Sequence, residues 1–210
     1  MTTHLREKGF PRYSRQSDPP GKIKIANAVL SLLDEKEFNA ITTAEIARVS
    51  GVNEALIYKY FKDKRGLLHD VLANFIEDFM SHIEAELLDV KGAKEKLKKL
   101  LWNSIDYYNR NHVCAKILLL EVRNFPRYFE SPTYHLARSY AHLLLKIIEE
   151  GIEAGEFRDD IPPRDIMQII LGGMEHLLLP GIIFGKKVDT DSRTESLYDI
   201  ILKGVAKPNA

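Results

Sequence analysis

The stretch GVNEALIYKYFKDKRGLL, residues 51–68, carries side chains suited to contact with a nucleic acid. Short side chains come first and can approach base edges, and tyrosine and lysine follow, which hold phosphates. Val52, Ile57 and Phe61 recur at a helical spacing and would face a core. The residues left on the outward face are Glu54, Ala55, Leu56, Tyr58, Lys59 and Tyr60. As a helix, this segment is predicted to contact the DNA major groove.

Helix-capping residues on both sides of this stretch predict a helix-turn-helix. Thr42 and Glu45 form a capping box, in which the threonine hydroxyl accepts from the backbone and the carboxylate reaches back. Ser50-Gly51 ends the first short helix because glycine tolerates a left-handed backbone, and Asn53 is a good N-cap for the second. In such a pair the second helix enters the major groove while the first crosses the DNA backbone.

Helical spacing and turn residues predict an all-α chain. One helix precedes the helix-turn-helix; it follows Pro19-Pro20-Gly21, taken as a helix stop, and ends near Asp34-Glu35. Asp63 caps a helix of about 25 residues, which is roughly 37 Å long. Ser131-Pro132 begins a later helix, and Ser192 with Glu195 makes a second capping box. The remaining predicted helices span about 93–111, 114–124, 131–154, 163–179 and 192–206.

The composition is that of a soluble globular protein. Of the 210 residues, 45% are apolar and 29% are charged. The formal net charge is zero, but residues 1–68 carry 12 lysines and arginines against 8 aspartates and glutamates. The first residues are polar and lack the apolar segment of a secretory signal, and no uninterrupted apolar run approaches the roughly 20 residues that cross a bilayer. We therefore expect a cytoplasmic protein without a membrane partner.

The residues that most often carry catalysis or bind metals lack the required spacing. The seven histidines never pair at i, i+3 or i+4 on one helix, as a metal site on a helix prefers. Cys114 is the only cysteine and is close to Ile117 and Leu118, which is typical of a buried hydrophobe. The sequence has no nucleophile elbow, phosphate-binding glycine loop or dinucleotide fingerprint. It therefore predicts neither an enzyme nor a cofactor or metal site.

A helix pair with a glycine turn does not by itself establish DNA binding, because many all-α proteins contain one. The alternative hypothesis is an all-α small-molecule binding or carrier protein without a DNA-dependent function. The coincidence of capping box, turn glycine, N-cap, outward basic and aromatic residues and a basic first third favours DNA binding. A gel shift with the protein's own upstream DNA separates the two hypotheses.

The segment ITTAEIARVSGVNEALIYKYFKDKRGLL, preceded by a helix containing IANAVLSLLDEKEF, resembles the DNA-binding domain of the tetracycline-repressor (TetR) family of transcriptional regulators. Matching positions include Thr42-Thr43, Ile46-Ala47, Gly51-Val52 and Ile57-Tyr58. The other two-thirds of the chain match in helical architecture only. The resemblance implies a homodimeric repressor that binds a near-palindromic operator and releases it when a small hydrophobic effector occupies the C-terminal domain.

The resemblance also implies a role for each position of the motif. The residues at phosphate-contacting positions are Thr43, Tyr58, Tyr60 and Lys64. The residues on the base-reading face are Glu54, Ala55, Leu56 and Lys59. Three residues depart from the family pattern. Asn53 replaces a common serine or threonine, which preserves the cap. Leu56 replaces a small or hydroxyl residue, which predicts contact with a thymine methyl, and Gly66 replaces a frequent glutamate, which predicts a looser first turn of the long helix.

The sequence divides into three predicted parts. Residues 1–20 are a flexible basic arm that either follows an adjacent minor groove or remains solvated. Residues 21–68 are a three-helix helix-turn-helix DNA-binding domain, and residues 69–210 are a helical ligand-binding and dimerisation domain. The basic residues of the arm are Arg6, Lys8, Arg12 and Arg15.

Aromatic residues concentrate between positions 102 and 140, and apolar pockets lined in this way bind small hydrophobic ligands. Aromatic residues at helical spacing are more often ordinary core, and surface ion pairs explain the polar candidates equally well. A fatty acid, an acyl thioester and a planar drug all suit such a pocket. The candidate ligand-binding residues are Trp102, Tyr108, Glu121, Phe125, Tyr140 and His142.

Dimerisation is predicted through the helices at about 163–179 and 192–206, whose apolar stripes suit a four-helix bundle between two protomers. The alternative is that both stripes complete the core of one protomer. A dimer lets two recognition helices meet major grooves about 34 Å apart. An effector would act by shifting the long helix at 64–88 and the spacing of the two DNA-binding heads. The stripe residues are Ile166, Ile169, Ile170, Gly173, Leu177, Leu197, Ile200, Ile201 and Gly204.

Overall fold

A computed structural model of the chain describes Tyr13, Arg15, residues 17–186 and residues 188–205. These residues are mainly helical and contain no β-strand, which confirms the all-α prediction. Short turns of 3₁₀-helix lie at Phe38–Ala40, Val122–Asn124 and Tyr128–Glu130, and one π-helical turn lies at Ile117–Glu121. The α-helices are α1 (Pro20–Glu35), α2 (Thr43–Ser50), α3 (Ala55–Phe61), α4 (Lys64–Leu87), α5 (Ala93–Arg110), α6 (His112–Lys116), α7 (Pro132–Glu153), α8 (Pro163–Phe184) and α9 (Thr190–Val205).

The chain forms two compact units. The first comprises the residues up to Asp78 together with Val113–Leu136, and the second comprises Phe79–His112 and the residues from Ala137 onward. This division differs from the predicted boundary at 68/69, because the first unit continues along α4 and includes a later segment. The division of functions between residues 21–68 and 69–210 stays a prediction.

α1 begins at Pro20, with Pro19 at its N-cap. The helix therefore begins within Pro19-Pro20-Gly21 and not after it, because proline at the first helical position loses no hydrogen bond and its fixed φ suits the first turn. The helix ends at Glu35, as predicted, and its inner face supplies much of the first unit's core. The buried residues are Ile25, Ala26, Ala28, Val29, Leu30, Leu32 and Leu33.

α2 and α3 form the predicted helix-turn-helix. The Thr42 hydroxyl accepts from the Glu45 N–H at 3.1 Å, and Gly51 ends α2 with a left-handed φ of 66°. Asn53 Oδ1 accepts from the Ala55 N–H at 2.9 Å and so caps α3 from two residues before its start. These local bonds satisfy backbone donors that the helix termini would leave unpaired.

The helix-turn-helix packs on α1 through buried apolar side chains. Ile46 and Ile57 are fully buried, and Phe61 is 5% exposed. Burial of each such side chain stabilises the unit by about 2 kcal/mol. This packing fixes the rotation of α3 about its own axis and decides which side chains face outward.

The turn between α3 and α4 brings two backbone segments very close together. Lys62 adopts a positive φ of 69°, and Asp63 Oδ1 accepts from the Gly66 N–H at 2.7 Å. A Cβ atom at Gly66 would lie 2.0 Å from the carbonyl oxygen of Phe61. The looser first turn of α4 stays a prediction, but the structure shows another role for Gly66. It permits the close approach of the last α3 carbonyl.

The segment 113–136 packs against the turn after α1 and the start of α4. Lys116 Nζ donates to Glu37 at 2.6 Å. The Phe125 ring lies 5.8 Å from the Phe38 ring, and the Arg65 guanidinium lies 5.2 Å from the Phe125 ring centroid. The predicted helix at 114–124 is α6 followed by the π-helical and 3₁₀ turns, so the segment bends where the sequence predicts a continuous helix.

Two residues of the predicted arm are held within the first unit. Tyr13 is buried, and its hydroxyl lies 2.5 Å from a carboxylate oxygen of both Asp18 and Asp70. Arg15 bonds Asp70 at 3.2 Å and Glu77 at 2.6 Å. The predictions that Arg15 belongs to a flexible arm and contacts a minor groove are therefore wrong, because its guanidinium pairs with Asp70 and Glu77 of the same unit. The arm residues Arg6, Lys8 and Arg12 lie outside the described residues.

The second unit contains α5, α8, α9, the last part of α4 from Phe79 and α7 from Ala137. It has one apolar core. The fully packed Phe157 ring lies against Gly151, where a Cβ would meet it at 2.2 Å. α9 begins at Thr190 because Asp189 caps it, with Oδ1 accepting from the Ser192 N–H at 3.2 Å. The predicted capping box of Ser192 with Glu195 is therefore wrong, since the helix starts before it.

α8 is apolar on nearly all sides but only partly buried. An 18-residue window has a mean hydropathy of 1.6, and 22% of it is buried in the protomer. By length and composition alone this is the one described helix that could cross a membrane. Glu175 and His176 interrupt its apolar residues, so it is not an uninterrupted apolar run. Ile166 and Ile170 are buried, whereas Ile169 is 73% exposed. On α9, Ile200 is 69% exposed. Each predicted stripe thus divides between core and surface.

Candidate nucleic-acid interface

Hydroxyl groups from α2 and α3 meet on the outward face of the helix-turn-helix. Thr43 Oγ1 and Tyr58 OH lie 3.3 Å apart, and either can be the donor. Tyr58 is 51% exposed, and Lys59 beside it is exposed as well. Two hydroxyls and an ammonium group on one surface can all donate to phosphate oxygens. Two of the predicted DNA-contacting side chains, Thr43 and Tyr58, are therefore brought together, and Lys59 is exposed at the next position of α3.

The start of α3 leaves room for a base edge. Ala55 is the first residue of the helix and is exposed, so its short side chain lets the backbone come close to a groove floor. Glu54 precedes it and is half-buried. Its carboxylate would be repelled by phosphate, which predicts that Glu54 either accepts from a cytosine amino group or turns away from the DNA.

Leu56 and Tyr60 lie partly against α1 and not wholly on the outward face. A Cβ added at Gly21 would be 3.6 Å from both Leu56 Cδ1 and Tyr60 Cε2, and both side chains are half-buried. The Lys59 ammonium lies 5.8 Å from the Tyr60 ring centroid, which favours a cation–π contact. The outward face of α3 is therefore narrower than the sequence predicts, and Lys59 is its exposed cation.

Lys64 does not present its ammonium group to DNA. Its Nζ donates to the carbonyl oxygens of Phe38 at 2.8 Å and Ile41 at 2.6 Å, and it lies 4.3 Å from the Phe38 ring centroid. Burial lowers the pKa of Lys64, and the neighbouring Arg65 adds to this effect. The predicted phosphate contact is corrected accordingly: Lys64 joins the turn after α1 to the start of α4.

Two predicted ligand residues share one aromatic cluster in the second unit. The Phe79 ring centroid lies 5.5 Å from that of Tyr140 and 6.4 Å from that of Tyr108. Tyr140 OH lies 2.8 Å from Ser104 Oγ and 3.7 Å from Met174 Sδ. Burial raises the pKa of Tyr140 above its usual range, so this phenol stays neutral and can orient a polar group.

The other two candidates of the second unit lie at its surface. Trp102 on α5 is 36% exposed, and its Nε1 donates to Asp191 at 2.7 Å. His142 on α7 is exposed. Neither packs in the aromatic cluster around Phe79.

Glu121 and Phe125 belong to the first unit. Glu121 is half-buried, and burial together with the neighbouring Glu37 raises the pKa of its carboxyl group. Phe125 packs near Phe38 and 6.0 Å from the His69 ring. The six predicted ligand residues therefore do not form one cluster within either unit.

Ser104 is a polar partner that the sequence reasoning missed. It is fully buried on α5 and donates to the Leu100 carbonyl at 2.7 Å. The signal was present in the spacing, because Leu97, Leu100, Leu101 and Ser104 occupy i, i+3, i+4 and i+7 of one helix face. A hydroxyl on such a face must find a hydrogen-bond partner inside the fold.

The described residues contain no group of three or more His, Cys, Asp or Glu side chains placed to hold a metal ion. Cys114 is buried, and burial raises the pKa of its thiol to about 12, which keeps it protonated and unreactive at neutral pH.

The family models for known proteins cover both parts of the chain. The model described as "Bacterial regulatory proteins, tetR family" matches residues 25–71. The model described as "YsiA-like protein, C-terminal region" matches residues 72–204. The second match alone spans more than half of the chain and includes α5 to α9.

Individual relatives agree with these models. The fatty acid metabolism regulator protein of Bacillus subtilis is 23% identical over 186 residues, which cover 89% of this chain and 96% of that protein. The crystal structure of FadR from Bacillus subtilis in complex with stearoyl-CoA has a TM-score of 0.79 at 23% identity, covering 87% of this chain and 98% of that one. FadR from Bacillus halodurans has a TM-score of 0.81 at 22% identity, covering 90% and 98%.

These relatives are regulators, and the helix-turn-helix geometry and the two family matches agree along the chain. The chain therefore belongs to the TetR family of bacterial regulatory proteins and is a ligand-responsive, DNA-binding transcriptional regulator.

Proposed function

We propose that the protein is a cytoplasmic homodimeric repressor that places α3 of each protomer in a major groove and releases its operator when a long-chain acyl thioester binds the second unit. The observation that carries the DNA-binding part is the outward surface formed by Thr43, Tyr58 and Lys59, held by a capped and packed helix-turn-helix. The proposed DNA contacts are Thr43, Tyr58 and Lys59 to phosphates, with Glu54, Ala55 and the outward parts of Leu56 and Tyr60 toward the bases. This exchanges the roles that the family resemblance implies for Lys59 and Tyr60, because Lys59 is exposed whereas Tyr60 is half-buried against α1.

The exposed apolar surface of α8 and α9 supports the dimer. Ile169 and Phe184 on α8 are 73% and 70% exposed, and Ile200 on α9 is 69% exposed. Gly172 and Gly204 have no heavy atom within 4 Å of an added Cβ, so another helix can approach closely there. Exposed apolar surface of this extent marks a partner site, and a two-fold operator requires two recognition helices.

One relative and the side chains of the second unit both support an acyl thioester as the effector. The Bacillus subtilis regulator is described in complex with stearoyl-CoA. In this chain, the Phe79 cluster offers apolar rings, and the Tyr140 and Ser104 hydroxyls offer neutral hydrogen-bonding groups beside them. An acyl chain can pack against the apolar rings, and a thioester carbonyl can accept a hydrogen bond from a hydroxyl group. Tyr108 and Tyr140 are the proposed ligand residues.

Replacement of Lys59 by alanine tests the DNA surface. We expect operator affinity to fall roughly three- to tenfold and the slope of log K against log salt to decrease by about one, because one phosphate contact is lost. Fluorescence anisotropy with labelled duplex from the protein's own upstream region, at several salt concentrations, measures both. At saturation, two protomers per duplex are expected.

Lys146→Ala is the matched control, because Lys146 is an exposed lysine of α7 in the second unit. Its salt slope should equal that of the wild type. A Lys59→Ala protein with unchanged affinity and unchanged slope would show that α3 does not face the phosphates as proposed.

Stearoyl-CoA added to the preformed complex tests the effector. We expect dissociation of the duplex, because the ligand shifts the protein toward the state that it binds better. Coenzyme A alone and stearate alone separate the contributions of headgroup and chain. Operator binding that persists in saturating stearoyl-CoA would reject the acyl thioester and leave the DNA-binding proposal intact.

A further inference from the structure

A groove on the second unit lies between the last turn of α4, α5 and the first half of α9, away from the aromatic cluster around Phe79. Its volume is about 520 Å³, which is the size of a site for a small molecule. Its walls combine one aromatic ring, one apolar side chain and several charged groups. The lining residues are Glu86, Val90, Glu95, Lys98, Lys99, Trp102, Asn103, Asp191, Thr194 and Glu195.

The indole of Trp102 is held in this groove by a single strong contact. Its Nε1 donates to Asp191 Oδ1 at 2.7 Å, which joins α5 to α9. The side chain nevertheless remains 36% exposed. An indole that is both fixed and accessible offers its π-face, and tryptophan is the best aromatic partner for a cation.

The groove carries an excess of negative charge. Lys99 pairs with Glu86 and Lys98 pairs with Glu195, both at 2.7 Å, so these four charges compensate each other. Glu95 and Asp191 form no salt bridge within the part of the chain that the structure describes. Two carboxylates beside an exposed indole therefore favour a cationic ligand over a neutral or anionic one.

A buried hydroxyl in the same wall lacks a partner. Thr194 is 1% exposed, and its Oγ1 has no hydrogen-bond partner among the described residues. Buried hydroxyls in folded proteins are nearly always hydrogen-bonded, and leaving one unpaired is costly. Because Thr194 lines the groove, a ligand N–H group that moves the side chains covering Oγ1 aside can supply the missing bond.

We propose that this groove binds a small organic ammonium ion with an apolar body, stacked on Trp102, neutralised by Glu95 and Asp191 and hydrogen-bonded to Thr194. The site is separate from the proposed acyl thioester site and goes beyond the proposed function. Its occupancy does not depend on the operator.

Trp102 is the only tryptophan of the chain, so its fluorescence reports this groove directly. The full-length protein is titrated with benzylammonium at pH 7, and with benzyl alcohol, which has the same ring without the charge. We expect a saturable change in Trp102 emission with benzylammonium and at least about tenfold weaker binding of the alcohol. Equal affinities for the two probes, or no saturation with benzylammonium, would overturn the proposal.

Two sets of variants locate the interaction. The double variant Glu95→Gln with Asp191→Asn removes both charges, and it should weaken benzylammonium binding by about tenfold. The amide oxygen that it introduces on α9 can still accept from the indole N–H. Glu149→Gln with Glu153→Gln, on the exposed side of α7, makes the same change in net charge away from the groove and should have no effect.

Thr194→Val is close in volume and removes the unpaired hydroxyl. We expect weaker benzylammonium binding with no loss of thermal stability, because no intramolecular hydrogen bond is lost. Wild-type affinity in this variant, or in the doubly neutralised one, would contradict the assigned contacts.

Discussion

Gly66→Ala is expected to destabilise the first unit by about 3 kcal/mol and to lower operator affinity below a measurable level. The added Cβ would lie 2.0 Å from the Phe61 carbonyl oxygen, a distance that no relaxed structure allows. The obstacle is backbone, so it cannot rotate away as a side chain does. The end of α3 and the start of α4 must move apart, and the recognition helix moves with them.

Thermal unfolding followed by circular dichroism measures the stability of Gly66→Ala, and operator titration below the unfolding transition measures its function. Gly21→Ala is the matched control in the same unit. Its Cβ would lie 3.6 Å from its nearest neighbours, which is ordinary contact, so stability should be unchanged or slightly higher. A Gly66→Ala protein as stable as the wild type would mean that the turn between α3 and α4 is not as close as the structure shows.

Tyr13→Ala is expected to lower the free energy of unfolding by about 3 kcal/mol, because it removes a buried aromatic side chain. Tyr13→Phe keeps the ring and should cost about 1–2 kcal/mol, since its hydroxyl bonds charged carboxylates. The cationic partners Arg15 and Lys22 remain in both variants, with Lys22 Nζ 2.9 Å from Asp18 and 3.2 Å from Asp70. Urea denaturation at neutral pH measures both losses.

The pH dependence separates the hydroxyl from the ring. Burial acts to raise the pKa of Asp18, but hydrogen bonds from Tyr13 and Lys22 outweigh it, and the folded-state pKa is lowered. A lowered carboxyl pKa stabilises the fold above the unfolded value of about 4 and loses this effect as the pH falls through the folded value. The difference between wild type and Tyr13→Phe should therefore shrink on acidification below about pH 4.

Replacing Ser17, an exposed residue of the same segment, by alanine provides the reference for Tyr13. It should leave unfolding unchanged. If Tyr13→Ala unfolded like this control, the N-terminal segment would not be part of the first unit.

The helix-turn-helix could be predicted because its determinants are local. The bond from Glu45 N–H to Thr42, the left-handed Gly51 and the Asn53 cap all join residues within a few positions of each other. Burial of Ile57 follows from helical periodicity in the same way. The exposed Lys59 was therefore correctly placed on the outward face.

The errors arose where the decisive partner is distant in sequence. Lys64 donates to carbonyls 23 and 26 residues earlier, and Arg15 bonds Glu77, 62 residues away. Nothing in the neighbouring residues indicates either contact. The packing of Glu121 and Phe125 with the first unit could not be predicted for the same reason, because only the tertiary fold shows where their segment packs.

Some predicted helix boundaries were wrong for a second reason, because two neighbouring residues could each begin the helix. Asp189 and Ser192 are both good N-caps, and the earlier one prevails because the chain is already helical at Thr190. Pro20 can end one helix or begin another, and the direction depends on which side has an apolar face to bury. Here the apolar face lies on the C-terminal side of Pro20, in α1.

The burial of Cys114 gives the molecule a selective covalent reporter. It is the only thiol of the chain, it lies in the segment that packs with the first unit, and it is 1% exposed. A maleimide can react with it only when that segment opens, so the alkylation rate measures the opening equilibrium without background from other sites. Comparison of this rate with and without operator would show whether DNA holds the segment closed.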